Sequence, residues 1–155
     1  MSRYEAALFL HLLGVLLFFS GMAIAGAGLW AATRRERPSE IALLLGLTRV
    51  GVALVGVGTV FILAFGLWLV DLAGYEYGDS WISAALALFV ISSALGAAGG
   101  RRPKQARLLA TRLAGDHDEP DPELGRLLLD RTALALNYGA ALAALAILAL
   151  MVWRP

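Results

Sequence analysis

The chain has 155 residues, 59% of them hydrophobic, with a mean hydropathy of +0.73 and a formal net charge of +1. That length suits one domain. The apolar excess sets aside a soluble helical bundle, whose helices would need a polar face toward water. With no cysteine in the chain, disulfides, thiolate metal ligation and cysteine nucleophiles are excluded.

No Asp, Glu, Lys or Arg occurs in residues 6–33, 50–70, 80–100 or 132–153. Each run can cross about 30 Å of hydrocarbon at roughly 1.5 Å per helical residue. The predicted fold is therefore all-α, a polytopic membrane four-helix bundle forming one integral membrane domain over residues 1–155.

The first helix is expected over about residues 5–32. Small residues around "AGAG" resemble a leader cleavage site, but the leading positive segment is weak and Arg34, Arg35 and Arg37 follow the apolar run instead of preceding it. This helix is expected to be retained. Pro38 and Ser39 mark a turn, with Ser39 or the segment before it capping a second helix over about 40–72, long enough to require tilt or an extension beyond the bilayer. Gly74 and Gly78 make the next turn, and a third helix over 80–99 stops at "GG" before "RRP". The loop 100–121 holds "PKQARLLATRLAG", partly amphipathic, which reads equally as a helix on the inner leaflet or as a solvated loop helix. Asp121 then Pro122 suit an N-cap and first helical position for a fourth helix over 122–153. Its first turns are supported by Glu123 with Arg126 and Arg126 with Asp130.

The net charge conceals strong sorting. "RRERPSE" and "RRPKQARLLATRLAG" are basic, whereas "DLAGYEYGDS" carries Asp71, Glu76 and Asp79 without Lys or Arg. By the positive-inside rule the first and third loops are cytoplasmic and both termini are predicted outside. The third loop turns acidic at "DHDEPDPE", so no nucleic acid is expected as a partner. Trp30, Trp68, Tyr75, Tyr77, Trp81 and Trp153 fall mainly near the expected interfaces and read as membrane anchors. Gly14, Gly21 and Gly28 recur at sevens in the first helix, as do Gly51 and Gly58 in the second, a spacing that lets another backbone approach closely.

Polar groups stand at two levels of the membrane. His11 shares the Gly14 side of the first helix near its outer end. It reads as an interfacial polar contact, a haem or metal ligand, or a proton-transfer group. Asp71, Glu76 and Asp79 lie toward the same surface as loop charges or a metal cluster, without HExxH or comparable ligand spacing, and no metal site is assigned. At the inner level Arg49, Ser92, Ser93 and Asn137 form a polar layer. Arg49 either recognises an anionic group or belongs to a proton route, or it snorkels to headgroups while the others bond backbone or one another. His117 is read as solvated. No Walker motif, dinucleotide fingerprint or phosphate loop is present.

Through "LHLLGVLLFFSGMAIAGAGLW", "LTRVGVALVGVGTVFILAFGLWL" and "SWISAALALFVISSALGAAG" the chain resembles small bacterial four-helix integral membrane proteins of unknown function. These are similar in turn to the copper-resistance D membrane domain and to HemJ-type protoporphyrinogen oxidases. The resemblance implies a multi-pass protein of the bacterial cytoplasmic membrane, and a first-helix histidine used for haem, at His11. Two departures stand against the specific chemistries. The only lysine is Lys104, in a loop, where HemJ-type proteins have an intramembrane one. For copper there are only Met1, Met22 and Met151. Two functions are therefore expected to compete: a small transport or membrane accessory module, and a membrane oxidoreductase binding haem b through His11. The lipid bilayer is the expected partner, with a second copy or another membrane protein as further ones.

Overall fold

The computed structural model describes residues 2–153, all of whose regular structure is helical. The elements are α1 (Arg3–Ala32), α2 (Pro38–Ala73), α3 (Ser80–Gly99), α4 (Arg101–Asp116), α5 (Pro122–Leu128) and α6 (Arg131–Trp153). Four helical stretches are long and apolar enough to cross a membrane: Arg3–Ala32, Pro38–Ala73, Ser80–Asp116 and Pro122–Trp153.

Local chemistry sets most of the ends. α1 starts in a capping box: the Glu5 amide donates to Ser2 Oγ (3.2 Å) and the Ser2 amide to the Glu5 carboxylate (2.8 Å), so the helix begins two residues before the expected position. α2 starts at Pro38, whose missing N–H costs nothing in a first turn, with the Ile41 amide closing onto Arg37 O. Ser39 does not cap this helix. Its own amide and hydroxyl both donate to the Asp118 carboxylate, each at 2.7 Å, so the cap comes from the α4–α5 connection, 79 residues along the chain. α2 ends on Gly74 at φ +72, where the Tyr75 amide reaches Val70 O and the Gly74 amide reaches Asp71 O. This double closure requires left-handed backbone, which glycine adopts without a Cβ clash.

The expected loop 100–121 is helical from Arg101 to Asp116, and the expected helix over 122–153 is two helices. Asp121 caps α5 as read from the sequence, accepting from the Glu123 and Leu124 amides. Asp130 then caps α6 by accepting from the Ala133 amide at 2.8 Å, and it also pairs with Arg102 at 3.4 Å. The Arg126–Asp130 spacing that suggested one continuous helix therefore spans the break between two.

The described residues group into two compact units. One takes α1 as far as Ala27 and α2 from Leu47, with the following turn to Asp79. Here the helices meet at their glycines, since a Cβ added to Gly51 would lie 2.5 Å from Gly21 O and one added to Gly58 would lie 2.6 Å from Phe18 N. The other unit takes Gly28–Gly46 and the chain from Ser80 onward. Its core joins Ala32, Ile41 and Leu45 to Ala106 and Ala110 of α4 and to Leu124 and Leu128 of α5. The amphipathic segment thus lays its alanine face on protein, with Leu109 and Leu113 packed beside it, and presents Leu108, Lys104 and Arg112 outward. One face of this helix is thus covered by protein and the opposite face is exposed. In the same unit α3 packs along α6.

Candidate functional site

Polar side chains within apolar helices are costly unless paired, so their partners carry the functional argument. His11 is buried at 7% exposure, and its Nδ1 lies 3.1 Å from Ile62 O of α2. A carbonyl only accepts, so Nδ1 carries a proton, and in the neutral ring Nε2 holds the lone pair. Room for the ring comes from Gly66, where a Cβ would lie 3.1 Å from both Cε1 and Nδ1 of His11. Neither Ile62 nor Gly66 was legible as a partner of His11. A glycine one turn beyond a hydrogen-bonding carbonyl stands out only once the α1–α2 register is known.

Two residues of the expected inner layer have partners in the α3–α6 pair. Ser92 is buried and donates to Ala140 O of α6 at 2.9 Å, and Asn137 Nδ2 donates to Gly99 O of α3 at 3.4 Å. Gly99, read from sequence as a helix stop, is buried against Asn137: a Cβ there would lie 2.5 Å from Asn137 Oδ1 and 3.2 Å from Ala133 O. Ser92 and Asn137 are thus both fasteners of the α3–α6 seam. Ser93 and Arg49 are exposed, Arg49 on the part of α2 that belongs to the other unit.

Outside the spans, Tyr77 donates its hydroxyl to Asp71 at 2.6 Å, and this bond to a carboxylate raises the phenol above its ordinary pKa. Hydrogen bonds from the Ser39 hydroxyl and amide, with Arg37 nearby, hold the Asp118 carboxyl below the usual carboxylate range. Trp30, Trp68 and Trp153 are exposed, with Arg34 lying 4.2 Å over the Trp30 ring. Among the described residues no three His, Asp or Glu side chains are grouped to hold a metal ion. Tested as a haem site, His11 offers one axial nitrogen of fixed tautomer. Its contacts with Ile62 O and Gly66 already use one edge of the ring.

A family model described as "Predicted integral membrane protein (DUF2269)" matches residues 5–155, and the chain belongs to that family. No curated protein and no solved structure matches it.

Proposed function

We propose that this member of a family of integral membrane proteins is an accessory module of the bacterial cytoplasmic membrane, acting through its surface instead of through a transport path. The carrying observation is how its span-level polar groups are spent. His11, Ser92 and Asn137 each donate to a backbone carbonyl of a neighbouring helix, which fastens helices and leaves those donors committed. Reconstituted proteoliposomes test the reading. Proton and anion flux should match protein-free vesicles, and in-membrane cross-linking should trap a defined complex. Saturable flux that disappears in Arg49→Leu or Asn137→Ala would return the protein to the transporters.

The proposed orientation places the Arg35 and Arg107 loops in the cytoplasm and Tyr75 outside. Because the chain has no cysteine, single substitutions Arg35→Cys, Tyr75→Cys and Arg107→Cys report it directly. An impermeant thiol reagent added outside should label only the Tyr75 variant, and the reverse pattern inverts the topology.

A second reading, haem binding, is favoured by the His11–Ile62 bond, because a backbone acceptor on Nδ1 is the usual way a ligating imidazole is oriented. His11 would hold the iron through Nε2, and the haem would supply one-electron chemistry. A visible spectrum after haem reconstitution decides it. A Soret band lost in a folded His11→Ala variant supports this reading, whereas a colourless folded wild type ends it and leaves His11 as an interhelical fastener.

A further inference from the structure

Each of the four charge-free runs is closed by an arginine on the side facing the basic loops. Arg34 directly follows residues 6–33, Arg49 directly precedes 50–70, Arg101 follows 80–100 and Arg131 precedes 132–153. The opposite ends close on Glu5, Asp71 and Asp79, with Arg154 at the fourth. All four basic-side arginines are exposed. Among the described residues none of the four is ion-paired with a carboxylate; Arg34 instead lies over the Trp30 ring. Their immediate neighbours behave differently: Arg35 pairs with Glu40 at 3.7 Å and Arg102 with Asp130 at 3.4 Å. Asp130, next to Arg131, is thereby committed to Arg102 and to the Ala133 amide.

A guanidinium at the edge of the hydrocarbon reaches toward the headgroups, and its planar fork matches phosphate oxygens two at a time. A zwitterionic lipid brings an ammonium along with its phosphate and leaves the surface charge unneutralised. A net anionic lipid neutralises it. We propose that Arg34, Arg49, Arg101 and Arg131 each take the phosphate of an anionic phospholipid, so that the protein selects anionic lipid at each of these positions. The proposal goes beyond the accessory reading and stands whichever way that reading falls.

The test uses the full chain in mild detergent, equilibrated with equimolar phosphatidylglycerol and phosphatidylcholine, with the retained lipid measured by native mass spectrometry. Phosphatidylglycerol should be enriched. Each of Arg34→Gln, Arg49→Gln, Arg101→Gln and Arg131→Gln should lower the enrichment by up to about fivefold, the size expected for one cation near an anionic surface. Arg112 is the control. It is also exposed but bounds no charge-free run, and it lies about 16 Å from Arg101 along the helix by helical rise, more than a Debye length at physiological salt. Arg112→Gln should leave the ratio unchanged, and Arg49→Lys, which keeps the charge if a guanidinium variant folds poorly, should keep most of it. No preference in the wild type, an equal loss in Arg112→Gln, or displacement of the lipid by an equal concentration of inorganic phosphate would each overturn the proposal.

Discussion

The α1–α2 and α3–α6 pairs solve one problem in two ways. In lipid the surroundings are as apolar as leucine, so helices associate through close packing and interhelical hydrogen bonds instead of hydrophobic burial. α1 and α2 use the backbone itself. Gly14 and Gly21 face Gly58 and Gly51 so closely that added Cβ atoms would fall 2.5 to 2.7 Å from atoms of the other helix, with His11 as a polar tie toward one end. α3 and α6 use side chains. Alanines at 133, 140 and 144 are buried, and Ser92 and Asn137 each bond a carbonyl across the seam. The first solution is rigid, because what a new methyl would meet is mostly backbone that cannot turn aside. The second is adjustable, because side-chain ends can move.

The largest expected effect tests that rigidity. Gly51→Ala should cost about 3 kcal/mol or more, at the upper end of overpacking, since the methyl meets Gly21 O, Ala25 N and Ala25 Cβ at 2.5 to 2.9 Å. Gly56→Ala, on the same helix with nothing within 4 Å, should change stability by less than about 1 kcal/mol and in the favourable direction, by helix propensity. Unfolding in mixed micelles followed by tryptophan fluorescence measures both. Equal costs at the two glycines would show that helix flexibility, not close approach, explains them.

Adjustability predicts the next effect. Gly99→Ala places its methyl 2.5 Å from Asn137 Oδ1 and 3.2 Å from Ala133 O, so the worse clash is with a movable amide. It should cost about 1 to 3 kcal/mol alone and at least about 1 kcal/mol less in an Asn137→Ala background. Strict additivity in that cycle would mean that the Ala133 carbonyl sets the limit and that α3–α6 is as rigid as α1–α2. Smaller still, Ser92→Ala should cost about 0.6 kcal/mol, typical of one interhelical hydrogen bond in a membrane. A cost above about 2 kcal/mol would make Ser92 a keystone instead of one fastener among several.

The difference between the pairs also explains what was legible. Runs without charge identified four crossings, because a charge inside hydrocarbon is expensive enough to leave a visible gap. The glycines at sevens marked one seam, because backbone contact permits no other residue. Alanines marked nothing on α6, since a chain this rich in alanine carries them on every face. Ser92 and Asn137 were visible as polar residues, but their acceptors are carbonyls, which every residue has. Arg49 stands with them by depth along its helix and is exposed, which depth alone could not show. The α5–α6 break was signalled by Asp130 ahead of Ala133, a capping spacing masked by the equally good Arg126–Asp130 spacing for a continuing helix.

The smallest effect belongs to the water-exposed end of the second unit and separates it from the α1–α2 seam. Asp118 holds Ser39 through both carboxylate oxygens from backbone at φ +43, a left-handed conformation that Asp tolerates better than most residues. Its carboxyl is held below the usual carboxylate range in the folded chain. The clamp therefore contributes fully above the unfolded value, near pH 4, and is lost as pH falls through the lower folded value. Hydrogen exchange reads this locally. At neutral pH, Asp118→Ala should cut protection of the Ser39 amide severalfold while leaving amides around Gly51 and Gly58 as protected as before. Acidifying the wild type below pH 4 should reproduce that local loss, and acidifying the Asp118→Ala variant should add nothing to it. Unchanged Ser39 protection in the variant would mean that α2 is held at its start by Pro38 and the Ile41–Arg37 bond alone. A loss spreading to Gly51 would mean instead that the clamp and the glycine seam unfold as one cooperative unit.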